Sequence, residues 1–187
     1  DPCLFYGRRI QKVGDFVIPE AYIAMHVDDG KGRGTREFAE WLRQRLYEEF
    51  KVEDFDIIEE GESYEFTGVE YNECAEGVWR NQAKYVDLKL TEVEIPTALK
   101  GKDPRSDAQH MEPEARSTLG AGVWAVTRTE VPAAFEICRV AQRINELQLS
   151  DILRLNKAVR SMKHAPTNIF TPRIRLSEPI CLSVVVD

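Results

Sequence analysis

The spacing of hydrophobic positions changes several times along this chain, and each change marks a new element. Up to residue 27, short apolar runs alternate with turn-forming residues: Leu4-Phe5-Tyr6, Gly7-Arg8-Arg9, Asp15-Phe16-Val17-Ile18, then Pro19-Glu20. Such runs predict a β meander. Its last strand, Ala21 to Val27, ends in Asp28-Asp29, after which Gly30, Gly32 and Gly34 predict a turn. From Thr35, a suitable N-cap, the period becomes helical. Phe38, Leu42, Leu46 and Phe50 recur every four residues and predict a helix packed on a sheet. An acidic connector follows over residues 53–62. Residues 63–71 then alternate as a strand, with Gly68 marking a bulge or a close backbone approach.

Asn72 to Gly77 predict a turn, Val78-Trp79-Arg80 a returning strand, and residues 81–91 a short helix with Tyr85 and Leu88 on one face. Pro96, Gly101 and Pro104 make residues 95–111 a linker and the best internal boundary. Three helices are predicted beyond it. The first, 113–128, turns Leu119, Val123 and Val126 inward, with Gly120 and Gly122 permitting close packing. The second has Pro132 in its first turn and uses Phe135, Cys138, Ala141 and Ile144. The third is capped by Ser150 and buries Ile152, Leu155, Val159 and Met162; its other face carries Lys157, Arg160 and Lys163. Two strand-like runs, 169–174 and 180–186, close an α+β chain.

Composition narrows the class. The 187 residues are 43% hydrophobic and 30% charged, which predicts a folded domain rather than wholesale disorder. No apolar run approaches the roughly 20 residues of a membrane span, so no membrane partner is expected. Cys3, Cys74, Cys138 and Cys181 match no zinc spacing and read as free thiols of an intracellular, reducing compartment. The chain starts without Met and stops on an apolar run, and is read as a segment of something longer. The formal net charge of −7 is unevenly spread: residues 1–114 hold 15 Lys and Arg against 26 Asp and Glu, residues 115–187 hold 10 against 6. An acidic half beside a mildly basic one suits a phosphate-bearing polymer.

Asp28 and Asp29 are the candidate chemistry. Two adjacent acids at a strand end repel each other unless a cation sits beside them. A hard divalent ion such as Mg²⁺ takes carboxylate oxygens and keeps water or phosphate as further ligands. The competing reading is a solvated Asp-Gly turn. A calcium loop starting at Asp29 is excluded, because Lys31 and Arg33 would fall on ligand positions.

In their order, these motifs resemble the reverse transcriptase of copia-type LTR retrotransposons, within the Pol polyprotein. His26-Val27-Asp28-Asp29 is similar to the family's aromatic-Val-Asp-Asp motif, with His in the aromatic position. Phe66-Thr67-Gly68-Val69-Glu70 resembles its Phe-Leu-Gly-Ile-Glu stretch near the primer end. Residues 77–85 fit its Gly-Ile-x-x-x-Gln-x-x-Tyr segment, and Leu119 to Trp124, Thr127 to Glu130 and Asn156-Lys157 with Arg160 resemble later motifs. The resemblance implies a palm C-terminal half over 1–95, a linker over 96–111, a helical thumb or connection over 112–165, and the start of an RNase H-like domain over 166–187. It makes Asp28 and Asp29 catalytic ligands of Mg²⁺, or of Mn²⁺ in its place. Phe66, Gly68 and Glu70 become a primer grip, Lys157, Arg160 and Lys163 nucleic-acid contacts, and Asp187 the first RNase H carboxylate. The implied partners are an RNA template with its DNA primer, a deoxynucleoside triphosphate, and the rest of the polyprotein. The family's first metal-binding Asp lies upstream of residue 1, so the segment alone is expected to be inactive. Two rivals stand beside this reading: an inactive transposon remnant that at most binds nucleic acid, and an acidic α+β domain of unrelated function.

Overall fold

The computed structural model describes residues 4–6, 10–13, 16–19, 21–26 and 29–173. The chain is α+β and divides into two compact units. One comprises Asp1–Thr67, Glu73–Gly77 and Pro172–Asp187; the other comprises Gly68–Asn72 and Val78–Thr171. Among the described residues, no helix is long and apolar enough to cross a membrane.

In the first unit, β1 (Leu4–Tyr6), β4 (Ala21–His26) and β5 (Asp29–Gly34) form an antiparallel sheet in the order β1-β4-β5. A separate antiparallel pair joins β2 (Ile10–Val13) to β3 (Phe16–Pro19). Two expectations change here. Ile10–Val13 is a strand although only its end residues are apolar; Pro19 is the last residue of β3, and Glu20, the other residue of the expected turn, lies outside the described residues. The three glycines also lie inside β5 and do not form a turn. Their spacing of two places them on one face of the strand, where β4 comes close. A Cβ on Gly32 would meet the Tyr22 carbonyl oxygen at 3.0 Å, and one on Gly30 would meet the Met25 sulfur at 3.0 Å.

The helix α1 (Arg36–Phe50) begins where expected. The Thr35 hydroxyl accepts from the Phe38 N–H at 3.2 Å, and Lys51 closes the helix in the left-handed region. The expected burial of its stripe is not found. No residue of α1 is buried, and Phe50 is 74% exposed. Apart from Ala21, the buried apolar side chains among the described residues all belong to the second unit.

The run read as one strand over 63–71 is two: β6 (Ser63–Phe66) and β7 (Val69–Cys74). Thr67 and Gly68 between them have φ of 53° and 75°. Positive φ at both positions is the signature of the tight hairpin turn whose twist matches its strands. A β-branched Thr in that conformation hides the turn from a propensity reading. The strand β8 (Gly77–Asn81) and the distant β9 (Ile169–Pro172) complete a sheet in the order β6-β7-β8-β9.

Four helices build the second unit: α2 (Ala83–Lys89), α3 (Glu112–Val126), α4 (Ala134–Gln142) and α5 (Leu149–His164). The expected face of α5 is correct, with Ile152, Leu155, Val159 and Met162 all buried. Its cap is not Ser150. Gln148 accepts from the Asp151 N–H, and the Asp151 carboxylate accepts from the Gln148 N–H at 3.0 Å, a capping box. On α4 the expected face is half right: Ala141 and Ile144 pack against the core, but Phe135 is 68% exposed and Cys138 exposed, and the fully buried residues are Ile137 and Val140. That helix carries two apolar stripes, and the aliphatic one faces α3, where a Cβ on Gly122 would meet Ile137 at 2.9 Å. Of the residues expected to face inward on α3, Leu119 and Val126 are buried and Val123 is exposed, and Ala115, Thr118, Gly122 and Ala125 are buried beside them.

Residues 96–111, read as a linker, belong to this second unit, and Ala108 and Met111 are part of its core. The extended stretch after α2 is tied down by side chains. Thr118 donates to the Thr91 carbonyl at 3.0 Å, and the Asn156 amide makes two 2.8 Å bonds with the Val93 backbone.

Candidate functional site

The strands β4 and β5 pair with Met25 opposite Gly30 and His26 opposite Asp29. This register sets Asp29 at the first position of β5, at the end of the ladder. Val27 and Asp28, between the strands, lie outside the described residues, as does Asp187. Lys31 and Arg33 occupy the positions that alternate with the glycines along β5. The Lys31 ammonium lies 4.9 Å from the centre of the Tyr64 ring, a cation–π contact. Among the described residues, no group of three or more His, Cys, Asp or Glu side chains is arranged to hold a metal ion.

The remaining candidates fall in the second unit, except Phe66, which ends β6 in the first. Gly68 packs tightly: a Cβ there would stand 3.0 Å from Tyr85 Cδ2 and 3.8 Å from the Trp124 indole nitrogen. Burial raises the Tyr85 phenol above its ordinary pKa. Glu70 has an evident local job, since its carboxylate accepts the Lys84 N–H at 3.3 Å and so caps α2, whose own N-cap Gln82 provides no such bond. Gly68→Ala therefore combines left-handed strain with a clash and is expected to cost about 2–3 kcal/mol. Gly61→Ala, with φ of 89° but nothing within 4 Å, should lose only about 1 kcal/mol. Equal losses in urea melts would remove the tight fit against Tyr85.

The basic face of α5 is partly neutralised. Arg160 pairs with Glu92, and Lys163 donates to the Asp87 carbonyl at 3.0 Å with the Asp87 carboxylate 3.9 Å away. Lys157 is exposed.

Two features carry no role in the sequence reading. The first is a buried polar chain. Thr129 donates to the fully buried Gln82 amide oxygen at 3.0 Å, and Glu130, 2% exposed, accepts from the Thr167 N–H and hydroxyl, both at 3.0 Å. The Gln82 amide nitrogen is buried without a partner. The second is Arg128, whose guanidinium carbon lies 4.4 Å above the centre of the Trp124 ring. Its signal was legible: Trp and Arg four residues apart at a helix end share a face.

A comparison of the chain with protein-family models, curated proteins and solved structures finds no match.

Proposed function

We propose that the chain is part of an RNA-directed DNA polymerase, the reverse transcriptase of a copia-type retrotransposon Pol polyprotein. The observation that carries the reading is the β4–β5 register, which pairs His26 with Asp29 and so puts the Asp-Asp motif where two antiparallel strands join, with Asp29 opening the second. The order of elements after it supports the same reading: a helix, two hairpin-linked strands and a third, a short helix, then a helical body.

In this reading Asp28 and Asp29 hold Mg²⁺. As hard oxygen donors they suit it, but two carboxylates fall short of its roughly six ligands, and water, substrate phosphate and a carboxylate from the rest of the polyprotein make up the set. Mg²⁺ held by Asp28 and Asp29 would supply activation of the primer 3′-hydroxyl and charge balance for the departing pyrophosphate. The chain's own residues position the reactants. The β6–β7 turn, held against Tyr85 and Trp124 by Gly68, would steady the primer end, and the exposed side of the helices would follow the duplex. The deoxynucleoside triphosphate is the second substrate.

Primer extension on an RNA template, with the parent polyprotein spanning the whole palm, tests the reading. Asp28→Asn should reduce extension by at least about 100-fold, because loss of even an outer-shell metal partner costs 10–100-fold. Absence of extension by the folded wild type would instead favour an inactive remnant.

A further inference from the structure

Arg128 sits just beyond the end of α3, where the chain is tightly held. Its N–H donates to the Ala125 carbonyl at 3.1 Å, and the Thr127 hydroxyl donates to the Trp124 carbonyl at 3.0 Å. Eight Lys and Arg residues lie between 115 and 171. Arg116, Arg143, Arg154, Arg160 and Lys163 are each in an ion pair, with Glu112, Asp151, Glu136, Glu92 and Asp87. Among the described residues Arg128, Arg139 and Lys157 make none. Arg128 alone of these three lies on an aromatic ring, and that ring is the indole against which Gly68 is packed.

A guanidinium lying on an indole uses its face and leaves the in-plane N–H fork open, in the planar geometry that matches a phosphate. The stack also fixes the rotamer beforehand, so less side-chain freedom is lost on binding. We propose that Arg128 is a backbone-phosphate contact for a nucleic-acid duplex lying over the Gly68 turn. This rests on the reverse transcriptase reading, and adds to it a cation at the turn that would steady the primer.

The test is equilibrium binding of the full 187-residue chain to a labelled RNA–DNA hybrid over a series of NaCl concentrations. Arg128→Gln should raise Kd about five- to tenfold and flatten the plot of log K against log salt by about one. Its melting temperature should stay within about 2 °C of wild type, as for an exposed side chain. Arg128→Lys should keep the salt slope and lose part of the affinity, since charge remains and the fork does not. Arg139→Gln, the unpaired control, should change Kd less than twofold. If the wild type binds the hybrid and Arg128→Gln binds with the same Kd and slope, the inference falls while the polymerase reading stands. If the wild type shows no salt-dependent binding to the hybrid, the reading beneath it falls as well. If polyglutamate binds in an Arg128-dependent way and the hybrid does not, the residue serves an acidic protein partner and the proposal is overturned.

Discussion

Asn156→Ala should lower the stability of the helical unit by about 2–4 kcal/mol, the larger of two strong effects. Asn156 is 4% exposed, and so is Val93. The amide oxygen accepts the Val93 N–H and the amide nitrogen donates to the Val93 carbonyl, both at 2.8 Å. In effect the side chain acts as a neighbouring strand for one residue of an extended segment that has no strand beside it. Truncation leaves a buried backbone donor and a buried acceptor without partners, each costing about 1–3 kcal/mol, partly recovered by any water that enters. Asn156→Asp should be at least as damaging, because it keeps the acceptor and turns a second oxygen toward the Val93 carbonyl. Lys157→Ala, one residue on and exposed, should change stability by less than about 0.5 kcal/mol. Urea melts with unchanged m-values measure all three. A loss under 0.5 kcal/mol for Asn156→Ala would mean that the segment from Leu90 to Ile95 is held by its apolar contacts and its ties to Thr118 and Arg160, without need of Asn156.

Glu130→Ala should cost about 2–3 kcal/mol, and the damage should be local before it is global. The carboxylate holds Thr167 by two bonds, one to its N–H and one to its hydroxyl, and Thr167 lies two residues before β9. On β9, Phe170 packs against Trp79 with ring centres 4.7 Å apart. Without Glu130 the approach to β9 loses its anchor, and amides 167–171 should exchange with solvent at least tenfold faster while those of α5 keep their protection. Glu130→Gln should cost under about 1 kcal/mol: the amide oxygen can accept the Thr167 N–H, and the amide nitrogen can donate to the Thr167 hydroxyl, which accepts as readily as it donates. If the Gln variant loses as much as the Ala variant, charge rather than hydrogen-bond geometry holds β9 in place. Unchanged exchange in both variants would end the anchor argument.

What the sequence disclosed depended on whether a pattern had one solution. On α5 a single apolar stripe faces a charged face, and Ile152, Leu155, Val159 and Met162 were legible, whereas the burial of the polar Asp151 and Asn156, which depends on their partners, was not. On α4 two stripes compete, and only the partner surface offered by Gly122 decides for Ile137 and Val140. The glycines after Asp29 signal a turn by composition, yet their spacing of two suits a strand whose neighbour comes close, and that neighbour is a matter of pairing. The Thr67-Gly68 turn was hidden because Thr rarely adopts positive φ; β9 was legible as a strand within 169–174, but its place beside β8 was not, since nothing local specifies it. Of the candidate site, the strand leading to the Asp-Asp pair and the helix after it were legible. The ion pairs that occupy Arg160 and Lys163 were not, since Glu92 and Asp87 lie far away in sequence. The Trp124–Arg128 spacing was legible, but not that Gly68, nearly sixty residues earlier, would meet the same indole.

The pairing of β9 with β8 also sets an order of events on the ribosome. Roughly ninety residues separate the two strands, and at about 5–20 residues per second β9 emerges several seconds after β8. During that interval β8 is the bare margin of a three-stranded sheet, with unmet N–H and C=O groups that any extended peptide can join. The helices, whose contacts are mostly near in sequence, can consolidate meanwhile. Closure of the sheet is then the last step of assembly, and the meeting of Phe170 with Trp79 marks its completion.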